Sequence, residues 1–76
     1  MNSADMLIHV HPELDTHARI NLERRLMECC GVDCAEFIHQ PHPHAMIVKY
    51  DPAEIEGMVI LDVVRTIDPV ATRVGL

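Results

Sequence analysis

The chain has 76 residues, enough for a single domain over 1–76 whose core removes only about 60% of the unfolded surface from water. A hydrophobic share of 49% supports one such core, and 24% charged residues keep the exterior wet, which excludes both a disordered chain and a membrane protein. Twelve acidic against six basic side chains give a formal net charge of −6, and Phe37 and Tyr50 are the only Phe, Trp or Tyr residues, so a nucleic-acid surface lacks its cations and its stacking platforms.

The amino-terminal residues carry neither a basic region nor an apolar run of signal-peptide length, and no stretch reaches the roughly 18 apolar residues of a membrane span. A cytoplasmic location is the expectation. Met6-Leu7-Ile8-His9-Val10-His11 alternates, with Ile8 and Val10 on one side and His9 and His11 on the other, the period of a half-buried strand closed by Pro12. Asp15 or Thr16 can cap a helix whose core stripe is Ala18, Leu22, Leu26 and Cys29, spaced four, four and three. Gly31 is its expected left-handed stop. Val32 to Gln40 and Ala45 to Tyr50 read as a hairpin around Pro41-His42-Pro43-His44. Asp51-Pro52 opens a second helix through Ile55, Met58 or Val59, Leu61 or Asp62, and Val63 to Ile67, with the broader apolar face of the two, and Asp68-Pro69 ends it. Val70 to Val74 is a short closing strand.

The order is β-α-β-β-α-β. The right-handed crossover rule folds it into an α+β, ferredoxin-like sandwich with a four-stranded antiparallel sheet, both helices on one face and the other face open.

Ile8-His9-Val10, Leu22-Glu23 with Leu26, Gly31-Val32 and Val48-Lys49-Tyr50-Asp51-Pro52 together resemble the heavy-metal-associated domain family of copper chaperones and metal-pumping ATPases. The resemblance runs from Met6 to Val74. It implies the same fold, metal binding without catalysis, and a role in delivering metal to, or regulating, a membrane transporter. In that family a Cys-x-x-Cys metal loop joins the first strand to the first helix. Here the connection reads Pro12-Glu13-Leu14-Asp15-Thr16-His17-Ala18, and alignment puts Asp15 and Ala18 at the two cysteine positions, so the thiolates suited to soft monovalent copper are missing.

Six histidines, all within the first 44 residues, offer a replacement. In this topology the end of strand one, the start of helix one and the hairpin between strands two and three meet at one pole. Five histidines, His11, His17, His39, His42 and His44, fall there and His9 lies one pleat below. Imidazole suits zinc, nickel, cupric copper and iron, and three or four neutral rings complete a tetrahedral site. His9 and His11, at i and i+2 on one strand face, would stand about 6.6 Å apart and can share one ion. The expected ligands are His11, His42 and His44, with His9 as a fourth; His17 belongs to the helix side and His39 shares the inward phase of Ala35 and Phe37. A solvated turn and a pH sensor are the competing readings, since protonating all six rings takes the formal charge from −6 to 0 (−6 + 6).

Cys29, Cys30 and Cys34 are odd in number and two are adjacent, a poor disulfide framework; they read as free thiols used in packing, with metal or redox chemistry as the alternative. Met27, Met46 and Met58 sit where an apolar stripe would use them and are expected in the core. Glu13, Asp15 and His17 form no complete catalytic set, because no nucleophile or glycine-rich phosphate loop accompanies them, and the two acids complement the helix dipole instead. An enzyme is not expected. The open sheet face should carry Cys34, Glu36, Ile38, Ile47, Lys49, His9 and His11, a mixed surface with an apolar centre suited to a homodimer or a docked partner. The functional expectation is therefore a histidine-based site for a borderline divalent metal. The alternative is a heavy-metal-associated-like interaction or dimerisation module without metal.

Overall fold

Alternation of buried and uncovered side chains along three strands organises the molecule. In the computed structural model, which describes residues 3–38 and 44–74, the elements are β1 (Ala4–His9), α1 (Thr16–Met27), β2 (Val32–Ile38), β3 (Ala45–Tyr50), α2 (Gly57–Arg65) and β4 (Thr72–Val74). The strands form one sheet in the order β2-β3-β1-β4, every neighbour antiparallel. This is the ferredoxin-like α+β fold expected from the sequence, with β3 central between the mutually parallel β1 and β2.

Met6, Ile8 and Val10 from β1 and its exit, Ala35 and Phe37 from β2, and Met46, Val48 and Tyr50 from β3 are buried with Leu22 and Leu26 of α1 and Ile60, Leu61 and Val64 of α2. The alternate positions are left on the uncovered face. Asp15 caps α1, its side-chain oxygen accepting from the Ala18 N–H at 2.8 Å. Glu23 of α1 accepts from the Phe37 N–H at 2.9 Å, which satisfies a donor on the outer edge of β2.

Several boundaries differ from the sequence reading. β1 starts at Ala4 and ends at His9, so His11 lies beyond the strand in which the sequence reading set it beside His9. The reason is that the His11 N–H leaves the ladder for the Asp68 carboxylate. α2 starts at Gly57 because Asp51 first makes a turn, its carbonyl accepting from Glu54 N–H and Ile55 N–H and its side chain from Ala53 N–H. Met46 is fully buried, but Met27 and Met58 are about half exposed at 49% and 56%, because each lies off the stripe its helix turns toward the sheet. β4 is reduced to three residues, preceded by buried Ala71. The expected strand residues His39 and Gln40 and the turn residues Pro41, His42 and Pro43 lie outside the described residues.

Gly31 has φ 95°, the left-handed conformation expected of it, and its carbonyl accepts from the Asp51 N–H at 2.7 Å. A Cβ there would stand 2.8 Å from Ile55 Cγ2 and 2.9 Å from Glu54 Cβ. Gly31→Ala therefore adds a left-handed backbone penalty to a steric one, and should cost about 2 kcal/mol or more, lowering Tm by about 8–16 °C in thermal denaturation.

Candidate metal centre

The site grows from the register of β1 on β3. Pairing of His9 with Ala45 brings the last residue of β1 beside the first of β3, and the Val10 N–H continues the ladder to the His44 carbonyl at 2.9 Å. The His9 and His44 rings meet edge to face, centroids 5.1 Å apart and planes at 69°. Both are half-buried. Two nitrogens bound to one tetrahedral ion at 2.0–2.1 Å lie about 3.4 Å apart, a spacing that rings this close reach by rotation about their side-chain bonds.

His11 is held differently. Its N–H donates to Asp68 Oδ2 at 2.7 Å, its carbonyl accepts from the Leu14 N–H at 3.0 Å, and its Nδ1 accepts from the Glu13 N–H at 3.1 Å. A nitrogen that accepts is unprotonated, so the neutral ring carries its proton on Nε2 and offers no lone pair until the Glu13 contact is released. His11 is exposed, which leaves that rearrangement sterically open. His17 is exposed in the first turn of α1. His42 and His39 lie outside the described residues. Among the described residues, then, the structure brings His9 and His44 together, and no three His, Cys, Asp or Glu side chains form a group able to hold a metal ion.

The connection between β1 and α1 is a self-bonded turn without cysteine. Besides the His11 and Asp15 contacts, Arg19 Nη2 donates to the Pro12 carbonyl at 3.4 Å while the guanidinium lies 5.7 Å over the Phe37 ring. Phe37 is on the helix-covered face, so this cation and the His9 ring are on opposite sides of the sheet. Cys29 and Cys34 are half-buried, Cys30 is exposed, and all three are free thiols. Cys29 donates to the Arg25 carbonyl at 3.4 Å, and Cys34 pairs across the sheet with Lys49.

Asp68 is the residue the sequence reading missed. It is the buried charged side chain among the described residues, 4% exposed, and its two oxygens accept from His11 N–H and, at 3.3 Å, from Val70 N–H. A signal was present: Ile60, Val64 and Asp68 are spaced by four, which continues the inward face of α2, and the Asp68 N–H bonds to the Val64 carbonyl at 2.9 Å. From sequence alone the Asp-Pro pair reads as a helix stop. Arg65 Nε braces the same turn on the Ala71 carbonyl at 3.0 Å.

No family model matches the chain, and no curated protein is significantly similar to it. Solved structures do match. Oxidized MerP from Ralstonia metallidurans CH34 has a TM-score of 0.75 at 10% identity, over 96% of this chain and 96% of that one. The CopZ metallochaperone has a TM-score of 0.73 at 17% identity, over 93% of this chain and all of that one. At identities this low the agreement is one of fold, and it spans the whole domain on both sides.

Removing the Asp68 carboxylate leaves two partly buried N–H groups without their acceptor. Asp68→Ala should destabilise the domain by about 2–3 kcal/mol and accelerate hydrogen exchange at the His11 amide beyond that at the Ile8 amide, as read by NMR.

Proposed function

We propose that this chain is a small, non-enzymatic, cytoplasmic metal-binding domain of the heavy-metal-associated type, with imidazoles in place of thiolates. The observation that carries the reading is the His9–His44 ring contact at the end of β1, in a fold shared with MerP and with a metallochaperone. His9 and His44 supply two nitrogens. His42 and, after release of its Nδ1 contact, His11 are the same chain's candidates for the positions these two leave open. The donor set suits zinc, nickel, cupric copper or iron rather than monovalent copper, because neutral imidazole is a borderline base. The family resemblance and the metallochaperone likeness support delivery of the ion to a membrane transporter, or regulation of one.

A second reading is favoured by one observation. Ile20 and Met27 on α1 and Met58 and Val59 on α2 are 46–57% exposed, large apolar side chains left on the helical layer. On that reading the domain is an interaction module without metal.

Calorimetry with zinc, nickel and cupric ions separates the two. Wild type should bind one of them, and a His9→Ala, His44→Ala double variant of unchanged Tm should bind about tenfold or more weakly. Affinity should fall on acidification, because imidazole must shed its proton to ligate. Equal, weak binding by both proteins at neutral pH removes the metal reading.

A further inference from the structure

We infer that the uncovered sheet face is the contact between two copies of this chain, closed by one divalent ion shared between their His9–His44 pairs. The inference rests on the reading that these two histidines ligate metal, and it adds the stoichiometry and the partner.

Register supplies the argument. On the uncovered face the two central strands present three level rows, Asp5 beside Lys49, Leu7 beside Ile47, and His9 beside Ala45. Asp5 and Lys49 are exposed and Leu7, Ile47 and His9 are half-buried, with no described helix above them, while Ala45, beside the His9 and His44 rings, is buried at 3% exposure. Turn a second copy by 180° about an axis parallel to the strands and midway between β1 and β3. Its β3 then lies over β1 of the first copy and the rows stay level. Asp5 faces the second copy's Lys49 and Leu7 faces its Ile47, each match occurring twice, and the His9–His44 pairs of the two copies come to the same end. The face is thus complementary to itself in charge and in apolarity. Lys49 is the sole lysine of the chain, and it stands in this array.

The same rotation keeps both His9–His44 pairs at one end of the interface. Two imidazoles from each copy make the four ligands that a tetrahedral ion takes, whereas one copy brings only two together among the described residues. An axis running across the strands would reverse the rows, setting Asp5 over His9 and sending the two pairs to opposite ends. Charge explains why the ion is needed. Each copy carries a formal −6, so two copies repel, and a shared divalent cation offsets part of that repulsion where the chains meet.

The test titrates zinc chloride into the full chain at neutral pH, with molar mass read by light scattering and bound zinc by elemental analysis. The expected result is a doubling of mass at one zinc per two chains, reversed by EDTA. Lys49→Glu should weaken the zinc-driven dimer by about tenfold or more, and adding Asp5→Lys in the same chain should restore it, which also controls for folding. A monomer holding one zinc per chain overturns the inference and leaves the histidine reading standing. Absence of zinc binding overturns both. A dimer that ignores EDTA, or a zinc dimer that tolerates Lys49→Glu unchanged, overturns the shared-ion contact.

Discussion

The position of β3 between two mutually parallel strands is the constraint on which the rest of the molecule depends. Because side chains alternate along a strand, the register that buries Met46, Val48 and Tyr50 also delivers Ala45, Ile47 and Lys49 to the other face. A slip of one residue would expose the first set and bury the lysine. The register is therefore fixed energetically by several large apolar side chains. The meeting of His9 with His44 is a consequence of it, requiring no dedicated binding loop.

That placement also explains why the connection between β1 and α1 has a different character. A loop that carries metal ligands needs donor atoms not already committed to holding the loop itself. Here the donors are spent locally: Asp15 on the helix cap, the His11 imidazole on the Glu13 N–H, and the buried Asp68 carboxylate on the backbone of His11. Asp68 ties this turn to the one before β4, two segments 57 residues apart in sequence. Burial of a carboxylate is costly unless its hydrogen bonds are made, so the two accepted N–H groups are what make its position tenable.

Most of the architecture was legible because it rests on period. The two-residue alternation of Met6 to Val10 and of Ala45 to Tyr50, the helical stripe of Leu22 and Leu26, and the glycine after α1 each have a single physical reading. What was not legible depends on tertiary competition. His11 looked like a strand residue until the Asp68 carboxylate outcompeted the ladder for its N–H. Met27 and Met58 read as stripe positions, but the phase of each helix in the packed domain turns both off the inward face. In the candidate site, the register sets the end of β1 beside the start of β3, where His9 meets His44. The choice of His9 as the first partner of His44, ahead of His11, turned on where β1 ends, and a strand boundary is the feature that local pattern constrains least.

A pair of imidazoles, in the proposed reading, suits a protein that must give its ion up. Closed sites with four protein ligands bind zinc as part of the fold, whereas a site with positions left open exchanges its ligands. Two rings, one at the end of β1 and one just before β3, half-buried and at the rim of the uncovered face, leave the remaining positions of the ion accessible to whatever docks there. A second copy and any acceptor would then compete for the same face, and the metal would pass by exchange of partners across a surface whose geometry is set by the strands. Such a domain need change little in shape as it loads and unloads, since the core that positions His9 and His44 lies on the other side of the sheet and is untouched by either event.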